Sequence, residues 1–153
     1  VKFIINDNFI LALKVKAALK HHLIPIVCVG EKLEQRRSGT FLDDTWAQLK
    51  IALDDLSPEG LADVVVAYEP IWAIGTGEVA SPDQAQEMHA FLRAKLKEIF
   101  GNGNLPIIYG GSCKPSNADD IFAQPDVNGG LIGGASLNAD DFLVLIEKLR
   151  ISK

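Results

Sequence analysis

Four short apolar runs divide the chain, and glycine lies at or soon after the end of each. They occupy residues 23–30, 64–70, 105–111 and 129–135. Their hydrophobic positions are nearly continuous and do not alternate with polar ones, which is typical of parallel strands covered on both faces. The pattern therefore predicts four buried parallel strands.

Amphipathic helices are predicted between these runs, where apolar residues recur at three- and four-residue spacing. They cover residues 8–21, 42–55 and 82–100, with shorter helices near 117–123 and 139–150. Ser81, Pro82 and Gln84 supply an N-cap, a first-turn proline and a capping-box side chain. Asn117 and Asn138 are further N-cap candidates, each before an Ala-Asp-Asp segment. The predicted element order is α-βαβαβαβα.

This alternation indicates an α/β protein with a parallel sheet and right-handed crossovers. Four strands fit either a small open doubly wound sheet or half of an eight-stranded barrel. Because the chain contains no long linker or low-complexity segment, we expect residues 1–153 to form a single domain. In both architectures ligands bind at the carboxyl ends of the strands.

Composition excludes several classes of function. The chain is 48% hydrophobic with a net charge of −5, and its longest basic tract is the pair Arg36-Arg37. We therefore expect neither nucleic acid nor a membrane as partner. Cys28 and Cys113 lack CxxC spacing, which argues against a zinc site. Cys28 is predicted to be a buried strand thiol, which favours a reducing, cytoplasmic compartment.

The position of methionine bears on completeness. The chain begins with Val1, and its single methionine is Met88. We expect the chain to be a fragment, a processed product or an incompletely sequenced part of a longer protein.

Glycine-rich loops follow three of the predicted strands and suggest an anion site. Their sequences are AIGTGEVAS, YGGS and IGGAS, and they include Ser112, Gly133 and Gly134. Glycine lets backbone N–H groups approach a phosphate closely, although it also simply makes tight turns. Residues 75–80 match a dinucleotide fingerprint, but residues 70–74 separate that match from its strand, which disfavours the assignment.

Glu69 ends the second apolar run and is the best candidate for a general base. The alternative is a structural carboxylate bonded to the backbone of a neighbouring loop. We favour that alternative for Glu31, which no glycine-rich segment follows. His21 and His22 end a predicted helix, and His89 is predicted to lie on a helix surface, so we expect no catalytic histidine.

Taken together, these segments resemble the triosephosphate isomerase family in order and spacing. AYEPIWAIGTGEVASPDQAQ, YGGS and DVNGGLIGGASL resemble its second-half signatures, and IPIVCVGEKLEQRRSGT resembles its fifth strand and the following loop. The resemblance implies a (β/α)8 TIM barrel of which this chain covers roughly the C-terminal half, strands 5–8 and their helices. It also implies interconversion of dihydroxyacetone phosphate and glyceraldehyde 3-phosphate in glycolysis and gluconeogenesis, without cofactor or metal.

The resemblance also assigns roles to residues. Glu69 takes the role of catalytic base. The substrate-phosphate positions are Gly75, Ser112, Gly133 and Gly134, with Leu131 nearby. The hinges of a closing lid are Pro70, Ile71 and Trp72 at one end and Val79, Ala80 and Ser81 at the other.

The chain lacks part of what the family uses. Barrels of this kind run to about 250 residues, and the family's catalytic lysine and electrophilic histidine precede the matched segments. We therefore expect the chain alone to be inactive or nearly so. It should pair with its missing N-terminal half, dimerise or aggregate, and the full-length protein should be a homodimer. Two alternatives are a non-catalytic phosphate-binding half-barrel and another phosphate-handling barrel enzyme.

Overall fold

The fold is a sheet of short parallel strands with helices packed on one of its faces. A computed structural model describes residues 8–74, 78–101 and 103–153, with side chains from Ile10 onward. The strands are β1 Ile26–Val29, β2 Val65–Tyr68 and β3 Ile107–Tyr109. The helices are α1 Asn8–Lys20, α2 Leu33–Ser38, α3 Phe41–Leu53, α4 Pro58–Ala62, α5 Pro82–Phe100, α6 Ala118–Phe122 and α7 Ala139–Ser152. Short 3₁₀ turns cover Ile71–Ala73 and Gly134–Leu137.

The strands are parallel in the order β1-β2-β3, which confirms the predicted α/β class with a parallel sheet. Val27 pairs with Val66, and Val66 pairs with Ile107. This register brings the carboxyl ends of all three strands to one edge of the sheet. The loops that follow the three strands therefore lie close together.

The prediction of a fourth strand over 129–135 was wrong within the described chain. That run meets β3 only through an isolated bridge between Tyr109 and Gly130. Its backbone bonds run from Tyr109 N to Gly129 O and from Leu131 N to Tyr109 O, both at 2.9 Å. Glycines supply no side chains to pack against neighbouring strands, which weakens strand formation. The chain then turns at Gly133 and begins a 3₁₀ turn.

The hydrophobic core lies between the sheet and the helices. The sheet contributes Val27, Val29, Val66, Tyr68, Ile107 and Tyr109, and all six are buried. Facing helices contribute Leu49, Leu53, Met88, Leu92 and Leu96, which are fully buried. Each such side chain stabilises the fold by roughly 1.5–3 kcal/mol relative to full exposure. The apolar periodicity of α3 and α5 therefore selects the face that they present to the sheet.

The opposite face of β1 is open, which corrects two predictions. Ile26 is 48% exposed and the Cys28 side chain is exposed, so this strand is not covered on both faces and Cys28 is not a buried thiol. The helices of the described chain pack on the face that carries Val27 and Val29, and alternation along the strand directs Ile26 and Cys28 the other way. Leu143 and Ile151 of α7 are also largely exposed.

Helix starts follow the predicted chemistry in two of three cases. Ser81 Oγ accepts a bond from Gln84 N at 3.2 Å, and Gln84 Oε1 accepts one from Ser81 N at 2.9 Å. Asn138 Oδ1 accepts a bond from Asp140 N at 2.9 Å. Asn117 makes no side-chain cap, since its Oδ1 accepts from Lys114 N instead. Asn117 thus braces the loop that precedes α6.

The short helices α2 and α4 were not predicted. They have 6 and 5 residues, too few to show a full helical repeat. Local capping nevertheless specifies both, because Gln35 Oε1 accepts from Lys32 N at 2.8 Å and Ser57 Oγ accepts from Gly60 N at 3.1 Å. Within the described ranges, no helix combines the length and apolar character needed to cross a membrane.

Candidate active site

A cavity of about 740 Å³ opens beside the carboxyl ends of β2 and β3. Five of the residues singled out from the sequence line it, namely Glu69, Ser112, Leu131, Gly133 and Gly134. They come from three separate loops, so the sheet register is what brings them together. The candidate base and the candidate phosphate site therefore line the same cavity.

Glycines on both neighbouring strands make room for Glu69. Its backbone N donates to Val29 O at 2.8 Å, which fixes it one step beyond β2. A Cβ on Gly30 would lie 1.7 Å from Glu69 O. A Cβ on Gly110 would lie 2.6 Å from Glu69 Cγ. Any larger residue at either position would displace Glu69, so these glycines are required by close approach.

The environment of Glu69 favours proton acceptance. Its side chain is half-buried, and burial raises its carboxyl pKa above the ordinary value, an effect that a hydrogen bond from Cys28 partly offsets. Partial desolvation in turn raises the pKa of Cys28 to about 11, with the Glu69 charge as a smaller cause. Cys28 therefore remains a neutral thiol that donates to the carboxylate. A carboxylate with a raised pKa is a stronger base near neutral pH.

Two further loops that line the cavity are braced by hydrogen bonds to their backbone. Asn117 Nδ2 donates to Ser112 O at 3.0 Å and steadies the YGGS loop. Ser136 N and Oγ both donate to Gly133 O, at 2.9 and 2.7 Å. Apart from its chain neighbours, a Cβ on Gly133 or Gly134 would meet no atom of residues 8–74, 78–101 and 103–153 within 4 Å. Packing within the described chain therefore does not require glycine at either position, and the space beside them is open.

The segment that follows Glu69 is tied to the loop after β1. Ile71 N donates to Glu31 O at 3.2 Å, and Trp72 Nε1 donates to Glu31 Oε1 at 2.7 Å. Pro70 caps the 3₁₀ turn to which both residues belong. These three predicted hinge residues lie beside the cavity without lining it.

The second predicted hinge leads directly into α5. Val79 is 48% exposed and Ala80 is buried, while Ser81 caps the helix. Gly75, the remaining predicted phosphate ligand, lies outside the described residues.

Glu31 is a fully buried structural carboxylate, but it binds side chains where backbone partners were expected. Its Oε1 accepts from Tyr68 Oη at 3.0 Å and from Arg36 Nη1 at 3.1 Å, in addition to Trp72. Its Oε2 is also buried, and no group of the described residues donates a hydrogen bond to it. Glu31 thus joins β2, α2 and the segment after Glu69 in one buried network.

The prediction that His89 lies on a helix surface was wrong. Its side chain is fully buried, and its Nδ1 lies 3.3 Å from Asp126 O. The ring also packs edge-on against Tyr68. Burial lowers the pKa of His89 to about 4, so it is neutral at physiological pH. His89 does not line the cavity and has a structural role.

Several residues that line the cavity were not predicted from the sequence. Lys114, Ser116 and Asp141 also line the cavity, together with Cys113. None of them belongs to a strand end or a glycine motif, so no pattern singled them out. The available signal was the position of Lys114 two residues after the YGGS loop. In the described part of the chain, no group of three acidic, histidine or cysteine side chains is placed to hold a metal ion.

Comparison with known proteins gives a consistent result. A sequence model described as triosephosphate isomerase matches residues 2–149. Triosephosphate isomerase of Chloroherpeton thalassium is 54% identical over 137 residues, which cover 88% of this chain and 54% of that protein. Those of Flavobacterium johnsoniae and Xanthomonas campestris pv. campestris are 50% and 53% identical, with 58% and 57% of their lengths covered. The chain thus spans little more than half the length of these curated relatives. Since the family match covers nearly all of its residues, the chain belongs to the triosephosphate isomerase family.

Proposed function

We propose that this chain supplies the catalytic base and the phosphate site of a triosephosphate isomerase. The reaction interconverts dihydroxyacetone phosphate and glyceraldehyde 3-phosphate. The observation that carries the proposal is that Glu69 shares one cavity with Ser112, Gly133 and Gly134. A small phosphorylated triose needs this combination, a base at one end and anion-binding backbone at the other.

Glu69 moves the proton in this scheme. Its carboxylate takes a proton from the carbon beside the carbonyl group, and the C–H electron pair forms an enediolate. Glu69 then returns the proton to the adjacent carbon while the hydroxyl proton passes from the oxygen of the first carbon to the former carbonyl oxygen, and these two transfers together complete the isomerisation. The raised pKa of Glu69 reduces the difference in pKa between this base and the C–H group that it deprotonates. The hydrogen bond from Cys28 keeps the carboxylate oriented.

The backbone positions the substrate. N–H groups at Gly133 and Gly134 and the Ser112 side chain hold the phosphate, with Leu131 beside it. The open space over both glycines supports close approach by a ligand. Gly75 completes the phosphate contacts when the lid between the two hinges closes. Closure excludes water and protects the enediolate from loss of phosphate.

The chain corresponds in this proposal to strands 5–8 of a (β/α)8 barrel. The uncovered face of β1, with Ile26 and Cys28 exposed, supports that placement because a closed barrel would cover it. The partner is the preceding half of the barrel, and the complete protein is a cytoplasmic homodimer. The family's lysine and electrophilic histidine belong to that half, so the 153-residue chain by itself is inactive or nearly so.

A second candidate function is a non-catalytic half-barrel that binds phosphate. The open space at Gly133 and Gly134 serves this function equally well, and the uncovered sheet face favours a unit that works by association. Both candidates predict phosphate binding, but only the first predicts isomerase turnover.

An isomerisation assay separates them. The 153-residue chain is assayed alone and again after mixing with the preceding half of the Chloroherpeton thalassium relative. We expect turnover only in the mixture, and Glu69→Gln should abolish it. Phosphate binding without turnover in a folded mixture would favour the second candidate. Substantial turnover by the chain alone would contradict the expected inactivity.

A further inference from the structure

Arg36 forms ion pairs and ring contacts, and one of these rings belongs to Trp72 of the predicted first hinge. Its Nη1 donates to Glu31 Oε1 at 3.1 Å, and its Nη2 donates to Glu87 Oε2 at 3.2 Å. Its guanidinium carbon lies 4.4 Å from the centre of the Phe41 ring and 5.5 Å from that of Trp72. Both ring distances are within the range of cation–π attraction. The side chain is only 13% exposed, so water screens these contacts weakly.

Arg36 reaches Trp72 by two routes. One is direct, with the guanidinium over the indole ring. The other passes through Glu31 Oε1, which accepts from both Arg36 Nη1 and Trp72 Nε1. Glu31 is fully buried, and Arg36 places a positive charge against it. Removing that charge would leave the carboxylate buried without this cation, which is strongly unfavourable.

The other contacts of Arg36 are with long helices. Phe41 begins α3 and Glu87 lies in α5, and both helices pack on the sheet. The guanidinium therefore connects two rigid elements to Trp72 in the Ile71–Ala73 turn, which starts two residues after Glu69. Arg36 itself does not line the cavity. Its effect on the cavity is therefore indirect, through Trp72 and through Glu31, which also accepts from Tyr68 Oη and Ile71 N.

We propose that Arg36 is a positioning residue for the first lid hinge. It holds the indole of Trp72 against Glu31 and so sets the path of the chain that leaves Glu69. This inference rests on the proposed function, because the hinge serves the lid of the isomerase reaction. A planar, two-sided guanidinium suits the task better than an ammonium, since it can stack on rings while donating at both edges.

Indole N–H signals of the 153-residue chain test the proposal by nuclear magnetic resonance. The two tryptophans, Trp46 and Trp72, give separate signals, and Trp46 packs near the Phe100 ring. Arg36→Met should speed solvent exchange of the Trp72 N–H at least tenfold and leave Trp46 unchanged. Arg36→Lys restores the charge without the stacking, so it should give a smaller increase. Arg37→Met alters an exposed neighbour in the same helix and should change neither signal.

Two results would overturn the proposal. One is an unchanged Trp72 N–H in Arg36→Met. The other is an equal disturbance of Trp46, which would mean that Arg36 supports the fold in general. Should Arg36→Met fail to fold, Arg36→Lys decides the matter, and exchange of Trp72 indistinguishable from that of the unsubstituted chain would refute the positioning role.

Titration with inorganic phosphate separates this inference from the proposed function. In the unsubstituted chain, phosphate should shift the amide signals of Ser112, Gly133 and Gly134. The Kd of Arg36→Met for phosphate should lie within twofold of the Kd of the unsubstituted chain. When phosphate saturates the site, the indole N–H signal of Trp72 should shift by a different amount in Arg36→Met than in the unsubstituted chain. Absence of all three shifts in the unsubstituted chain would contradict the phosphate site and leave the exchange result for Arg36 standing.

Discussion

Gly110 and Glu69 approach so closely that a Cβ on Gly110 would lie 2.6 Å from Glu69 Cγ and 3.4 Å from its Oε1. The two residues are held in this relation by the backbone, since Gly110 N donates to Tyr68 O at 2.7 Å. The carboxylate of Glu69 can therefore occupy its position only because Gly110, directly after β3, has no side chain.

Gly110→Ala should push the Glu69 side chain out of its place. Overlap of this kind costs about 1–3 kcal/mol of unfolding free energy, measured by urea denaturation. The displaced carboxylate becomes better hydrated, so its pKa should fall toward the ordinary value of a glutamate. Carbon-13 titration of the side-chain carboxyl group measures that pKa. Gly134→Ala, at a position with open space, is the matched control and should leave the Glu69 titration as it was.

Glu69→Asp should lower the turnover number of the mixture of the two barrel halves. Shortening the side chain withdraws the carboxylate by about 1 Å, a misplacement that typically costs about 100-fold. Phosphate affinity should stay within twofold because the proposed phosphate contacts come from Ser112, Gly133 and Gly134 and not from Glu69. An unchanged turnover number would remove Glu69 as the base.

Gly134→Ala should weaken phosphate binding without weakening the fold. Apart from its chain neighbours, the added methyl group meets no atom of the described residues within 4 Å, so it occupies space proposed for the ligand. We expect at least tenfold weaker binding of inorganic phosphate by calorimetric titration. Stability should be equal or higher by about 0.4–1 kcal/mol, because alanine restricts the unfolded chain. Unaltered affinity would argue against a phosphate over Gly134.

Acid should destabilise the fold through His89. Burial lowers the folded-state pKa of His89 to about 4, below the usual 6.5, so the unfolded chain binds the extra proton first. The contribution of His89 is complete above pH 6.5 and is lost as the pH falls from 6.5 toward 4. The total loss is roughly 3 kcal/mol on the basis of 1.36 kcal/mol for each pKa unit.

Urea denaturation at pH 7 and at pH 5 measures the effect of His89. The loss of stability between these two pH values should be smaller in His89→Gln than in the unsubstituted chain. His21→Gln, which alters an exposed histidine, should leave the loss unchanged. A pH dependence that survives His89→Gln intact would assign it to other groups.

Much of the fold followed from local sequence patterns. The predicted helix over 82–100 is found as Pro82–Phe100, and its Ser81 and Gln84 cap is present. The apolar runs 23–30, 64–70 and 105–111 each contain a strand of the parallel sheet. The fourth run did not become a strand, because an apolar run rich in glycine has too few side chains to pack.

The candidate site was predictable only in its strand-end residues. Glu69, Ser112, Gly133 and Gly134 were singled out because parallel strands present their carboxyl ends at one edge. Lys114 and Asp141 were not, since no local pattern distinguishes a loop residue that faces a cavity from one that faces water. The pairing of Cys28 with Glu69 was also invisible, because it depends on the register of two strands.

The sequence by itself therefore determined most of the element types, two of the three predicted caps and the placement of Glu69 at a strand end. These depend on interactions within a few residues, where periodicity and capping chemistry decide. Tertiary structure alone decided that His89 is buried, that Cys28 is exposed and that Trp72 binds Glu31. Trp72 and Glu31 are separated by 41 positions, and His89 and Asp126 by 37. Contacts over such separations are set by how the helices pack on the sheet, which no local pattern encodes.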